Sequence, residues 1–448
     1  MYQIALSISS LLLGVGLLML GSGLLSTLVG VELARGGSSS AAIGFAMAAY
    51  YGGLTLASMK AHLVLAAVGH IRAFAAFAST MSAAALAHAV YPDLVFWAVL
   101  RLIEGFSMAG LFMCVESWLN DRATPRTRGQ MLSLYMITVY GSMGLGQQFL
   151  GLADPQGTLR FMVASILVSM ALVPVSLTRM SQPPLPNIKS FGLRRLWEVS
   201  PLGIVGTFAS GVVTGAIFGL APVFGEHRGF GASETALFMT VLILGGMVLQ
   251  WPFGKLSDLF DRRTVIIGLA AAMVVASLLM IPVADLPQRW PLLFVALFFG
   301  GLSFTLYPVC VSHTNDHLDR SELVQASGGL LLFYSAGATI GPIAGSATMS
   351  AVGPWGLFAF SAAGAMICVV FGVWRTRVRP PVPAAEQGPF QVLSATTPIV
   401  MPLDPRADES AVESAAEPVA EPGDELPGES ASEPALEPVA STQPPGPR

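Results

Sequence analysis

The 448-residue chain is 53% hydrophobic and only 11% charged, whereas about 25% of the residues in an ordinary soluble domain are charged. Because even a large soluble domain leaves much of its surface in water, this composition excludes a soluble globular protein and favours one surrounded by lipid. The net charge of −4 hides a division, since residues 380–448 carry 12 acidic and two basic residues. The rest of the chain is moderately basic, which suits anionic lipid head groups and gives no reason to expect a nucleic-acid partner.

Twelve apolar stretches follow one another along the first 378 residues, each close to the roughly 20 residues that a spanning helix needs. The first is too long for a signal-peptide core and lacks a basic flank, so we expect a retained helix. The sequence therefore predicts an all-α membrane protein with twelve transmembrane helices. The predicted spans lie near residues 4–30, 43–60, 73–90, 94–119, 130–152, 159–178, 201–225, 233–253, 264–284, 291–313, 325–349 and 356–375.

Basic residues in the connections between these spans are distributed unequally between the two sides of the membrane. Only four lie on the side of the first loop, namely Arg35, Arg160, Arg228 and Arg289. Because basic residues concentrate in cytoplasmic loops, the other side, with both termini, is predicted to face the cytoplasm. That side carries Lys60, Arg72, Arg122, Arg126, Arg128, Arg179, Lys189, Arg194, Arg195, Lys255, Arg262, Arg263, Arg320, Arg375, Arg377 and Arg379.

A long central connection divides the spans into two groups of six. We expect an N-terminal six-helix half at 1–178, a central cytoplasmic loop at 179–200 and a C-terminal six-helix half at 201–378. Residues 379–448 are rich in Pro, Ala, Glu and Ser. Such a segment buries too little apolar area to offset its ordering entropy, so we expect a disordered cytoplasmic tail.

The sequence contains no pattern of residues that predicts an enzyme, a metal site or a cofactor. Histidines such as His62, His70 and His88 lack metal-ligand spacing, and no Gly-rich phosphate-binding loop is present. The cysteines at 114, 310 and 368 each lie within an apolar run, where a small buried hydrophobic side chain is the expected role.

Two short motifs carry a family resemblance. The fourth predicted helix contains Arg101-Leu-Ile-Glu104-Gly105, and the loop after the eighth runs from Gly254 through Asp258 to Arg262 and Arg263. Both are similar to signatures of the major facilitator superfamily, with Glu104 in place of a glutamine in the first. The second departs from its signature at residues 259 and 261. Stretches 110–136 and 304–316 resemble the YcaD-like branch of that superfamily, and the resemblance covers about 1–378.

The resemblance implies that the chain has the major facilitator fold. It also implies that the protein is a secondary transporter that works by alternating access. Arg101 lies about two turns inside the fourth helix, and a cation at that depth needs an aqueous cavity or a partner. Glu104 shares its helix face and is the candidate partner. In the family this arginine influences proton release from nearby acids, so Arg101 and Glu104 are proton-coupling candidates. A purely structural staple between helices is the alternative.

Two further titratable residues are proton-coupling candidates. Glu116, near the cytoplasmic end of the same helix, could border the cavity or instead pair with Arg122, Arg126 or Arg128. His313 ends the tenth helix and could titrate near neutral pH, although a histidine that caps a helix end is the commoner situation.

The loop after the eighth helix is predicted to form a gating latch. In the family fold it lies beside the start of a helix from the other half, here the fifth helix near residues 129–130. Asp258 would bind that helix N-terminus, Arg262 and Arg263 would fasten the same corner, and Gly254 belongs to the same motif. We expect this latch to stabilise the outward-open state; a topogenic basic loop alone is the alternative.

Helices one, four, seven and ten line the cavity in this fold, and their polar and aromatic side chains are the substrate-cavity candidates. Their mostly apolar character predicts a moderately hydrophobic, amphipathic substrate. The candidates are Ser22, Thr27, Phe106, Ser107, Phe218, Phe304, Thr305 and Tyr307.

We therefore expect a monomeric, multi-pass protein of the bacterial inner or plasma membrane that exchanges a small amphipathic molecule for protons and exports it. Proton-coupled uptake is the nearest alternative, because a carboxylate whose proton affinity changes with conformation can serve either direction. A membrane sensor or scaffold whose acidic tail recruits a partner is the alternative from another class.

Overall fold

The computed structural model describes residues 8–124, 126–154, 157–178, 183, 192–319, 322–378, 387–393, 395–397, 400, 403 and 446. These residues form a bundle of long helices. The helices are α1 Ser9–Arg35, α2 Ser40–Val68, α3 His70–Val90, α4 Leu94–Arg122, α5 Arg128–Gly146, α6 Leu159–Ser176, α7 Pro201–His227, α8 Ala232–Leu259, α9 Arg262–Val283, α10 Trp290–Asn315, α11 Leu323–Val352 and α12 Gly356–Thr376.

The prediction of twelve transmembrane helices is confirmed. Within the described residues, eleven of these helices are long and apolar enough to cross a membrane, and α5 completes the bundle. A 3₁₀ turn at Gln147–Gly151 extends α5 to the full predicted span. Many large apolar side chains on the outer surface of the bundle are exposed, as expected for helices that face lipid.

The first six and last six helices repeat the same packing pattern. In the first half α2 packs on α4, α1 on α5 and α3 on α6; in the second half α8 packs on α10, α7 on α11 and α9 on α12. Contacts between the halves follow the same relation, because α2 packs on α11 and its equivalent α8 packs on α5. We call the first six helices and the last six helices the two halves of the bundle, and these halves contact each other through equivalent helices.

Small residues and local caps set where the helices approach and where they end. A Cβ on Gly53 of α2 would lie 2.0 Å from the carbonyl oxygen of Leu102, so α2 and α4 touch at backbone distance. The side chain of Asp93 caps α4 by accepting from the backbone N–H of Phe96 at 2.8 Å. Helix α2 ends only at Gly69, whose φ is +80°. The predicted second span, which stopped at residue 60, was therefore too short.

The central connection and the tail lie largely outside the described residues. Within 179–200, residues 183 and 192–200 are described, and Leu193–Val199 forms a short helix. The first compact unit of the chain extends to Glu417; of the second, Pro418–Arg448, only Gly446 is described. Within the predicted tail, the described residues between 387 and 403 contact the helical bundle, and we call them the tail segment.

The two ends of the bundle differ. We call the end with the loops after α2, α4, α8, α10 and α12 the basic face, and the other end the opposite face. At the opposite face the halves touch directly: Arg35 of α1 pairs with Glu226 of α7 at 3.1 Å. Thr240 of α8 donates to the carbonyl oxygen of Gly144 in α5 at 2.8 Å. The opposite face is therefore closed.

Candidate functional site

A cavity lies between the two halves near the middle of the bundle. It is formed by α1, α2, α4, α5, α7, α10 and α11, and it is bordered toward the basic face by the tail segment. Its described lining consists of Met19, Ser22, Gly23, Ser26, Thr27, Tyr50, Tyr51, Leu54, Phe112, Val139, Tyr140, Met143, Gln147, Ser210, Thr214, Phe218, Ser303, Phe304, Tyr307, Tyr334, Leu393, Ala395 and Thr396.

The wall of this cavity combines aromatic rings with hydroxyl groups. Five of the eight tyrosines in the chain line it, with six serines and threonines of the helices and one glutamine. None of the described lining residues carries a formal charge. The wall can therefore stack on a ring and hydrogen-bond neutral polar groups, but it supplies no counter-ion for a charged ligand.

Polar groups at the end of the cavity nearest the opposite face bind one another. Thr27 donates its hydroxyl to the Gln147 amide oxygen at 2.5 Å, and the Gln147 amide nitrogen donates to the carbonyl oxygen of Gly23 at 2.9 Å. Because Gln147 belongs to the 3₁₀ extension of α5, these bonds fix α5 against α1. At this end of the cavity, the polar groups are thus hydrogen-bonded to one another.

The predicted cavity residues divide into two groups. Ser22, Thr27, Phe218, Phe304 and Tyr307 line the cavity. The other three do not, because their helix faces point into packed contacts: the ring of Phe106 packs on Phe77 with centroids 6.0 Å apart, Ser107 is 1% exposed, and Thr305 donates to the carbonyl oxygen of Gly301.

Sequence reasoning missed the contributions of α2, α5 and α11. Tyr50 and Tyr51 come from α2, Tyr140 from α5 and Tyr334 from α11. A tyrosine inside an otherwise apolar span was the available signal, because its hydroxyl needs a polar partner away from lipid.

Arg101 and Glu104 form a buried ion pair beside the cavity. A guanidinium nitrogen of Arg101 donates to one carboxylate oxygen of Glu104 at 2.8 Å, and the two side chains are 3% and 0% exposed. Arg101 also lies over the ring of Tyr50, 4.4 Å from its centroid. Tyr50 lines the cavity whereas Arg101 does not, so the ring stands between the cation and the cavity.

His88 of α3 completes this cluster, which the sequence did not indicate. Its Nδ1 lies 3.4 Å from the second carboxylate oxygen of Glu104. The same nitrogen is 2.9 Å from the carbonyl oxygen of Ala84; because a carbonyl only accepts, Nδ1 carries the hydrogen. Within the described chain, that second Glu104 oxygen, Nε2 of His88 and Nε of Arg101 have no hydrogen-bond partner. The Glu104 oxygen and Nε2 of His88 can therefore each accept a proton or a hydrogen bond from water, whereas the N–H at Nε of Arg101 can donate to water.

Glu116, also fully buried, lies nearer the basic face. It accepts hydrogen bonds from the hydroxyls of Tyr135, at 3.0 Å, and of Thr396 and Thr397 in the tail segment. The ion pair considered from the sequence, with an arginine of the loop after α4, is not among the described ion pairs. The Glu116 carboxylate is hydrogen-bonded by hydroxyl groups instead, two of which belong to the tail segment.

The predicted latch residues gather at the corner between α8 and α9, but their partners differ from those expected. Asp258 accepts from the backbone N–H of Phe390 at 2.7 Å and from Arg262 at 3.3 Å, rather than from the start of α5. Arg262 is 1% exposed and also binds both carboxylate oxygens of Asp316 at 2.9 Å. The expected contact with α5 is replaced because residues 390–392 line the groove between Asp258 and that helix.

The remaining two candidates have local partners. Arg263 is 7% exposed, and its Nε lies 3.5 Å from a carboxylate oxygen of Asp261, the N-cap of α9. His313 is buried near the end of α10, where its ring packs against that of His317 with centroids 4.9 Å apart. Neither residue borders the cavity.

Comparison with known proteins places the chain among membrane transporters. A sequence model described as the Major Facilitator Superfamily matches residues 11–284 and 203–402. An uncharacterized MFS-type transporter, YcaD, of Escherichia coli (strain SMS-3-5 / SECEC) is 27% identical over 334 residues, which cover 74% of this chain and 86% of that protein.

Solved structures share the fold at low sequence identity. The nucleoside transporter NupG superposes with a TM-score of 0.65 at 13% identity, covering 81% of this chain and 97% of NupG. A bacterial homolog of the human lysosomal transporter Spinster, in an inward-facing and occupied conformation, gives 0.65 at 13% identity, with coverages of 86% and 97%. A D-xylose-proton symporter gives 0.63 at 14% identity, with coverages of 85% and 99%.

Proposed function

The chain belongs to the Major Facilitator Superfamily, whose sequence model matches it from residue 11 to residue 402, and on this premise we propose that it carries an uncharged amphipathic solute across the membrane by alternating access. The observation that carries this proposal is the central cavity. It lies between two six-helix halves, where a rocking motion would open it to either side in turn. One chain encloses the whole cavity, so a monomer is sufficient.

The lining of the cavity supports the solute class. Five tyrosines and several hydroxyls favour a ligand with an aromatic or otherwise flat apolar part and neutral hydrogen-bonding groups. A charged solute would lose its hydration without meeting a counter-ion on the described wall. The solute is therefore uncharged while it is in the cavity.

The distribution of basic residues supports an orientation. We place the basic face in the cytoplasm of a bacterial inner membrane, because positive residues in short loops remain on the cytoplasmic side. The contacts at the opposite face, such as the pair between Arg35 and Glu226, then close the periplasmic side. In this orientation the described conformation is inward-facing.

The buried cluster of Arg101, Glu104 and His88 supports coupling to protons. One Glu104 oxygen lacks a hydrogen-bond partner among the described residues and lies next to His88, so it is a site where a proton could bind. Protonation would weaken the attraction of Glu104 for Arg101, which packs on the cavity residue Tyr50. A proton at Glu104 would thus affect the cavity wall through Arg101 and the Tyr50 ring on which Arg101 packs. Export by exchange with protons is the version we propose.

A ligand-stabilisation screen on the purified protein tests the solute class. Uncharged compounds that combine an aromatic ring with hydroxyl groups are compared with matched carboxylate and ammonium analogues. We expect the uncharged members to raise the melting temperature and their charged analogues to leave it unchanged. Equal stabilisation by the charged analogues would contradict the proposal.

A pH-sensitive dye inside proteoliposomes tests the coupling. With a stabilising compound added outside, exchange for protons raises the internal pH, whereas symport lowers it. Glu104→Gln removes the titratable group but keeps the shape of the side chain. We expect this variant to lose the pH change and to retain exchange of labelled for unlabelled compound. A pH change of normal size in Glu104→Gln would exclude Glu104 as the coupling group.

A further inference from the structure

The tail segment lies between the two halves, on the path from the cavity to the basic face. Starting from Gln387, it contacts the corner of α8 and α9, then passes the end of the cavity and reaches Glu116 of α4. We propose that this segment is a tethered gate, which binds a built-in site on the basic face and must leave that site for the transport cycle to proceed. The proposal concerns regulation of the cavity and rests on the transport function proposed above.

The first part of the built-in site is a set of charged groups that bind the backbone of the segment. Gly388 accepts from Arg262 through its carbonyl oxygen and donates its N–H to Asp316 at 3.1 Å. The N–H of Phe390 donates to Asp258 at 2.7 Å. Arg262 is held by Asp316 on its other side, so the network is pre-organised. Charge-assisted bonds of this kind are stronger than neutral ones.

The second part is a notch that fits the ring of Phe390. A Cβ on Gly254 would lie 2.1 Å from a ring carbon of Phe390, so the ring occupies the place of a side chain at residue 254. Phe390 is only 9% exposed. Since any side chain at residue 254 would collide with this ring, glycine there is a requirement of the bound state.

The third part lies where the segment meets the cavity. The Gln250 amide donates to the carbonyl oxygen of Leu393 at 3.3 Å, and Leu393 is 2% exposed. Leu393, Ala395 and Thr396 form part of the cavity wall. The hydroxyls of Thr396 and Thr397 donate to Glu116. The segment therefore binds α8 and α9 of one half and α4 of the other.

These contacts have two consequences for transport. A solute that enters or leaves through the basic face meets the segment first. In addition, closure of the basic face would bring the halves together where residues 390–392 now lie, next to Gly129, Gln130 and Asp258. The bound segment thus blocks entry and holds the cavity in a single state. Because it is tethered, its effective concentration at the site is on the order of millimolar, which permits binding that is reversible.

Access to the cavity in the full-length chain measures the gate without any solute. The reporter is Ser26→Cys on the cavity wall, in a background where the three buried cysteines are replaced by alanine, and the probe is a hydrophilic maleimide added to detergent-purified protein. The test variant is Phe390→Ala/Thr396→Val/Thr397→Val, which removes the ring and both hydroxyls. We expect labelling of the test variant to be about tenfold faster. This corresponds to a bound segment that closes the cavity in roughly 90% of the molecules and in almost none of the variant molecules. An unchanged rate would overturn the proposal.

A second variant acts from the other side of the contact. Gly254→Ala places a methyl group against the Phe390 ring, whereas Gly268→Ala, its matched control, adds a methyl group that meets nothing within 4 Å. Faster labelling is expected in Gly254→Ala and not in Gly268→Ala. If the triple variant fails to fold, this pair decides by the same criterion.

The outcome separates the gate from the transport function. Faster labelling without solute flux in any variant would retain the gate and reject the proposed transport. Solute flux through the full-length chain, together with equal labelling rates in all variants, would support the proposed transport and reject the gate.

Discussion

The guanidinium of Arg101 and the carboxylate of Glu104 depend on each other because both are buried in the membrane-spanning part of the bundle. Removing two charges from water costs several kcal/mol per ion, and their attraction offsets this only while both are present. The Tyr50 ring at 4.4 Å adds a favourable cation–π contact for Arg101. The pair is thus stable as a unit and costly to break.

This dependence predicts a difference between single and double variants. Arg101→Met leaves Glu104 as an unpaired buried carboxylate, and we expect it to lower the free energy of unfolding by about 3–5 kcal/mol. Arg101→Met/Glu104→Leu leaves no buried charge at the pair. We therefore expect the double variant to lose less free energy of unfolding than the single variant does. The measurement is denaturant unfolding of the detergent-solubilised protein. A double variant as unstable as the single one would show that the cost comes from lost packing.

Part of this site was predictable from the sequence because it is local. Arg101 and Glu104 are three residues apart on one helix, which places them on the same face regardless of tertiary structure. His88 was not predictable in the same way, because it reaches Glu104 from α3. Asp258 shows the same limit: its position in the motif was clear, but its partner Phe390 is 132 residues away.

At the scale of the helices, local signals predicted the existence of each helix better than its ends. The sequence predicts that the second span ends at Lys60, yet α2 continues for two more turns to Val68. A single basic residue on an exposed helix face does not break a helix, whereas Gly69 with a φ of +80° does. The polar face of α5, which contributes Tyr140 and Gln147 to the cavity, explains why its hydropathy is lower than that of the other spans.

The contact between α2 and α4 predicts opposite effects for two neighbouring glycines. Gly53→Ala would place a Cβ 2.0 Å from the carbonyl oxygen of Leu102, whereas Gly52→Ala meets nothing within 4 Å. We expect Gly53→Ala to destabilise the protein by about 1–3 kcal/mol through overpacking. Gly52→Ala should be neutral or stabilise by about 0.5–1 kcal/mol, because alanine loses less backbone entropy in a helix.

Thermal denaturation of both variants in the same detergent provides the comparison. Because the two substitutions are chemically identical and adjacent in one helix, a difference between them reports the α2–α4 contact. Equal melting temperatures would mean that the helices can separate by the required distance at little cost.

At the scale of the whole molecule, hydropathy predicted the helical membrane bundle, since this follows from transfer of side chains into lipid. The placement of the tail segment was not predictable in this way. Its composition is that of a segment with too little apolar area to fold alone. The described part is nevertheless ordered by groups that belong to the bundle, such as Asp258, Arg262 and Glu116. A local pattern cannot report a binding site supplied by distant helices.

The closed opposite face predicts how the two states of the molecule can be shifted. A Cβ on Gly44 of α2 would lie 2.4 Å from the carbonyl oxygen of Pro342 in α11, so the halves can meet there only because residue 44 is glycine. Gly44→Ala penalises this closure and leaves the open form of the same face unaffected. A penalty of about 1.4 kcal/mol moves the equilibrium tenfold.

In vesicles of known orientation, Ser26→Cys should then react faster with an impermeant maleimide added to the opposite face and more slowly with one added to the basic face. Gly52→Ala, on the same helix, provides the control because its added methyl group meets nothing. An equal gain in reactivity from both faces would indicate loosened packing, and only a gain at one face matched by a loss at the other fits two halves that rock about a central cavity.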